Sequence, residues 1–124
     1  MELITAATRE RLTAMHPEVA TELGRLESIL DDSTLDPQLL QLVSNYFDAE
    51  LGGNTFIAPE NPSPLEQACL KVCEQFMISV ADTNDAQIAG LSEHLSPDDV
   101  YNLMYAIYLI EMSKRLDITL ERVL

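Results

Sequence analysis

The sequence predicts an all-α protein, a compact single-domain bundle of about six helices. Three observations carry this prediction. The chain lacks Trp, and its apolar 47% is mainly Leu, Ile, Val, Ala and Met, a palette that suits helix packed on helix. Pro17, Pro37, Pro64 and Pro97 each follow a His, Asp or Ser, as at helix starts, where the missing N–H of proline costs nothing. No stretch alternates polar and apolar residues between hairpin turns, and no internal repeat stands out. The 124 residues fit one domain, 1–124, which at this size buries about two-thirds of the surface its unfolded chain exposes.

Taken in order, Leu3, Ala6, Ala7 and Leu12 are irregularly spaced, so residues 1–15 are expected to hold a first helix that is frayed or docked on a partner. His16-Pro17 opens a second segment, in which Val19, Leu23, Leu26 and Leu30 recur at helical spacing until Asp31-Asp32-Ser33 ends it. Asp36-Pro37 opens a third, with a broad apolar stripe of Leu39, Leu40, Leu42, Val43, Tyr46, Phe47 and Leu51 that stops at Gly52-Gly53. Residues 52–63, with two glycines, Asn54, Pro59, Asn61 and Pro62, read as a loop of about a dozen residues, long enough to be a functional element or to order on binding.

Ser63-Pro64-Leu65-Glu66 fits a capping box and starts a helix predicted to reach about Val80. Asn84 and Gln87 suggest a cap for a short helix through Ile88 and Leu91. Ser96-Pro97-Asp98-Asp99 then opens the most apolar helix. Val100, Leu103, Met104, Ile107 and Ile110 form one of its faces, and Tyr101, Tyr105, Tyr108 and Met112 form a second. A helix apolar on two faces is central to a core or lies at a subunit interface. Lys114 and Arg115 are expected near its C-terminus, followed by a short tail from Asp117 to Leu124.

The net charge is -14, from 21 acidic and 7 basic residues, and no Lys or Arg lies between Arg25 and Lys71. Such a chain repels phosphate backbones and anionic bilayers, which argues against nucleic acid and membrane as partners and leaves a protein with a basic surface as the complementary one. No apolar run reaches the length of a membrane span, and the first residues do not resemble a signal peptide, so a cytoplasmic location is expected. Cys69 and Cys73 form neither a zinc-ligand set nor a secreted disulfide framework, and no cofactor or metal motif is evident.

Residues 63–124 resemble the second half of the AhpD-like, or carboxymuconolactone decarboxylase, superfamily, in which an "EHxSxxE/D" turn precedes a long apolar helix and an "NRLNxxLG"-like tail. The matching text is Glu93-His94-Leu95-Ser96-Pro97-Asp98-Asp99, then Lys114-Arg115-Leu116-Asp117-Ile118. Upstream, His16-Pro17-Glu18-Val19 and Leu35-Asp36-Pro37 through Val43 are similar to the family's entry helices. The resemblance implies an oligomeric helical fold and, in members with a C-x-x-C motif, thiol redox chemistry. Here Asn54 and Ile57 stand where those cysteines would be. Without a thiolate to attack and a second sulfur to resolve, peroxidase or disulfide-reductase activity by that route is predicted to be absent.

Other candidates follow from the residues themselves. Cys69 and Cys73 share a helix face, but with Leu65, Val72 and Phe76 they read as a buried stripe, and their spacing does not suit a disulfide. His94 beside Glu93 is a candidate general base, set against a structural role at a helix junction. His16 is assigned no function. Glu50, near Asp48, is a candidate proton shuttle if buried, and a solvated helix end otherwise. Glu111 interrupts an apolar helix and is either a buried acid or an ion-pair partner of Lys114 or Arg115. Tyr101, Tyr105, Tyr108 and Met112 are candidates for an interface, a core or an apolar pocket.

Three functions are open on these grounds. The first is a non-catalytic helical oligomerisation or partner-binding protein, expected to form homo-oligomers. The second is a cysteine-independent decarboxylase-type enzyme using Glu50, His94 or Glu111, which the scarcity of cations to clamp an anionic substrate disfavours: Lys71, Lys114 and Arg115 are the candidates. The third is a protein that binds an apolar or cationic small molecule through its tyrosines.

Overall fold

In the computed structural model, residues 1–78 and 84–123 are described, and they form six α-helices and no strand. These are α1 (Ala6–Met15), α2 (Pro17–Asp31), α3 (Pro37–Leu51), α4 (Pro64–Ile78), α5 (Asp85–Ser92) and α6 (Pro97–Val123). The predicted extension of α4 to Val80 lies outside the described residues.

The starts are set by the caps the sequence announces. Asp36 Oδ1 accepts from the Gln38 N–H at 2.9 Å. Ser63 and Glu66 exchange side-chain-to-backbone bonds at 2.9 and 3.1 Å, and Asn84 and Gln87 do the same at 3.1 and 3.0 Å. Ser96 Oγ accepts from the Asp99 N–H at 3.2 Å. Each such pairing satisfies donors that the first helical turn leaves open. The stop of α3 needs both glycines. A Cβ at Gly52 would lie 2.7 Å from the Asp48 carbonyl oxygen, and Gly53 has φ +76°, where glycine is at ease.

The core is assembled around α6, which packs most extensively on α3 and also touches α1, α2 and α5. Leu103, Ala106, Ile107 and Ile110 of α6 are completely buried with Val43 and Phe47 of α3, Val72 of α4 and Leu91 of α5. Cys69 and Cys73 belong to the same interior, both as free thiols.

Three expectations are corrected. The segment 1–15 is neither frayed nor detached. Residues 6–15 are helical, and Leu3, Ile4 and Leu12 are buried in the chain's own core. No tail begins at Asp117, because α6 continues to Val123, which leaves Lys114 and Arg115 inside the helix. Val19 is exposed, since the inward face of α2 runs through Leu23, Glu27 and Leu30 instead.

The first and last of these corrections share a cause in two buried carboxylates. Glu27 accepts from the Leu3 N–H at 2.8 Å and pairs with the Arg9 guanidinium at 2.6 Å. Asp117 accepts from the Thr5 N–H at 3.0 Å and from the Thr5 hydroxyl at 3.3 Å. The lead-in before α1 is thus held at two backbone N–H groups, Leu3 by α2 and Thr5 by α6. Asp117→Ala leaves the Thr5 N–H without an acceptor, while the Thr5 hydroxyl keeps Thr8, and is expected to lower stability by about 1–3 kcal/mol, read from urea unfolding, and to speed amide exchange at Thr5.

Candidate functional site

The main concavity lies between α2, α4 and α6. It is an open groove of about 520 Å³ lined by Leu26, Phe76, Tyr105, Tyr108, Leu109 and Met112, with Glu111 and Arg115 on one wall. Its α6 side is the second apolar face of that helix. Tyr101, Tyr108 and Met112 are 73%, 52% and 51% exposed, whereas Tyr105 is half-buried. The tyrosine face is therefore not core in this chain: it borders solvent.

Charged groups at the groove are already paired. Glu111 forms an ion pair with Arg115 one turn along α6, so the acid within the apolar helix is the partnered one. Lys114, the other predicted partner, reaches Asp48 of α3 at 2.8 Å. On α2, Arg25 pairs with Glu22 at 2.6 Å, which holds the Glu22 carboxyl below its ordinary range and raises the guanidinium further. Arg25 also lies within electrostatic reach of Tyr105. The Tyr105 hydroxyl is buried and has no hydrogen-bond partner among the described residues.

An edge-to-face series of rings connects the groove with the loop at 52–63. Tyr108 meets Phe76 at 4.7 Å between centroids, Phe76 meets Phe47 at 6.2 Å, Phe47 meets Tyr46 at 5.4 Å, and Tyr46 meets Phe56 at 5.2 Å. Such pairs contribute about 0.5–1.5 kcal/mol each beyond the area they bury. Sequence reasoning missed this series. Its members come from four separate segments, and only Tyr46 and Phe47 are adjacent in the chain.

The acid-base candidates do not converge. Glu111 lines the groove, and His94 is an exposed side chain in a separate depression with Glu93, Lys71 and Gln87. Glu50 is exposed at the end of α3, which is the solvated alternative of the sequence reading. Its charge, second to burial, helps to push the Tyr46 hydroxyl up to about 12. Asn54 and Ile57 sit on the exposed loop, Ile57 at 87% exposure. Among the described residues no three His, Cys, Asp or Glu side chains gather into a metal-holding group.

Cys69 and Cys73 lie in the stripe expected of them. The hydrogen bond with Cys69 and burial raise the Cys73 thiol far above its ordinary value, and both sulfurs are shut off from solvent. Both thiols are expected to resist an aromatic disulfide reagent in the native protein and to react at the rate of unfolding. A stopped-flow comparison with and without denaturant checks this.

Tyr46 gives a pH prediction of defined sign. Its hydroxyl ionises at 10 in the unfolded chain and at about 12 in the folded one. Between those values the unfolded state binds fewer protons, so stability falls as pH rises through that window and is unaffected by this group below it. The alkaline loss of melting temperature is expected to be smaller in Tyr46→Phe than in the parent protein.

Comparison with known proteins returns no matching family model, no matching curated protein and no matching solved structure. What is established is an all-α helical protein carrying a charge-balanced apolar groove, and among the described residues no helix is long and apolar enough to cross a membrane.

Proposed function

We propose that this protein is a non-catalytic helical module that acts by docking another protein on the groove between α2, α4 and α6. The observation that carries this reading is the exposure of Tyr101, Tyr108 and Met112 beside the groove, in a chain whose remaining surface is strongly acidic. Contiguous apolar surface rimmed by charge marks an interaction site, and Tyr and Met are among the residues that interfaces favour. Unlike a pocket tuned to a small ligand, the groove is wide open along one side and its only charged lining residues neutralise each other.

The separation of Glu50, His94 and Glu111 speaks against the decarboxylase-type alternative, which requires an acid and a base at one reacting centre. In the proposed reading the helical frame is AhpD-like, Asn54 and Ile57 replace a lost redox pair, and two buried free thiols suit a reducing, cytoplasmic setting. A partner with a basic surface remains compatible with the net charge, although the groove itself offers it no unpaired carboxylate.

A photo-crosslinking phenylalanine analogue placed at Met112, and separately at Ile57, tests the docking face in living cells. Both sites are exposed, but only Met112 borders the groove. Protein adducts are expected from position 112 and not from 57. Equal labelling at both positions, or none at 112, defeats the proposal.

A further inference from the structure

We infer that the occupant of this face is a second copy of the chain, joined about a twofold axis so that α2 and α6 of each copy form a four-helix contact. The inference rests on the docking reading above and specifies its partner.

Its first support is a spacing shared by two helices. On α6, Tyr101, Tyr105, Tyr108, Met112 and Arg115 recur at steps of four, three, four and three. On α2, Val19, Glu22, Leu26 and Ile29 recur at steps of three, four and three. That alternation is the seam by which one helix seats its side chains between those of another. Of the eight large apolar side chains exposed among the described residues, five lie on these two seams: Val19, Ile29, Tyr101, Tyr108 and Met112. Leu26 and Tyr105, from the middles of the two seams, line the groove that runs between them.

The second support is self-complementarity. Ridge and groove belong to the same face, so a twofold axis sets the ridge of each copy against the groove of the other, which is the defining property of an isologous interface. At 1.5 Å per residue, the 27 residues of α6 extend about 40 Å. The seam itself, from Tyr101 to Arg115, runs about 21 Å along that length.

Charge supplies the third support and selects a like chain over a basic one. Two molecules of net charge -14 repel each other through most approaches. The charged members of the seams and their partners form the pairs Glu22–Arg25 and Glu111–Arg115, so the seams themselves are charge-balanced. Copies meeting here bring little uncompensated charge together, whereas a basic partner gains nothing from a neutral face.

Sedimentation equilibrium of the purified chain tests the inference. A dimer of twice 13.8 kDa is expected, and added salt should tighten it by about tenfold or more, because screening weakens the long-range repulsion while leaving apolar contacts intact. Met112→Glu and Ile29→Glu, both at exposed positions and each checked for retained helicity, should weaken dimerisation by more than about tenfold, and Ile57→Glu should not. A parent protein that stays monomeric at all concentrations and salts overturns the second copy alone, and the crosslinking from position 112 then judges the docking reading separately. A dimer indifferent to Met112→Glu and Ile29→Glu is joined through another face and overturns the inference, and the crosslinking from position 112 again judges the docking reading separately. A dimer that loosens as salt rises is held by opposite charges and overturns the inference.

Discussion

A helix with apolar side chains on opposite sides makes two demands on a small domain, and α6 places both on this one. Its Leu103, Ala106, Ile107 and Ile110 side is completely covered by α3 and by residues of α4 and α5. Covering the tyrosine side as well would take another layer of helices, and the chain has only α1 and α2 left. Those two are committed elsewhere: α1 packs mainly on α2, and α2 turns Leu23 and Leu30 inward while leaving Val19 and Ile29 in solvent. The open groove is the space that this allocation leaves.

Position on α2 explains why the groove persists. If Glu27 were apolar, α2 could rotate to present a wider stripe to α6. Glu27 instead fixes the rotation by accepting from Leu3 and pairing with Arg9. A carboxylate buried this far loses hydration and is tolerated only with good partners, so the helix is held where those partners are. Asp117 exerts the same control on α6 through Thr5. The N-terminal segment thus locks two of the three helices that border the groove, although none of its residues lines it.

Local signals made much of the fold legible. Proline after a capping residue, glycine pairs and apolar spacing are decided within a few residues, and α2, α3, α5 and the starts of α4 and α6 follow them. Misreadings came where a distant partner decides. Residues 1–15 looked irregular because their order depends on Glu27 and Asp117, which lie 24 and 112 residues from the backbone groups they bind. Asp117 also looked like the start of a tail, since Lys114 and Arg115 carry the charge that suits a helix C-terminus. Of the candidate site, Tyr101, Tyr105, Tyr108 and Met112 were legible as a stripe, but Leu26 and Phe76, which turn that stripe into a groove, were indistinguishable from core.

The loop after α3 bears on the same groove. A redox pair at positions 54 and 57 would sit on the loop after α3, and that loop is tied to the interior by Phe56 on Tyr46, the first step of the ring series ending at Tyr108 in the groove. Asn54 and Ile57 stand there, and the loop's contribution to the groove is mechanical: Phe56 buttresses Tyr46, which supports Phe47 and, through it, Phe76. Rings in edge-to-face contact transmit shape rather than charge, because each displacement must be absorbed by the next ring in a close-packed interior. A frame built this way keeps the tyrosine face of α6 in register through ring contacts that run from the loop to the groove.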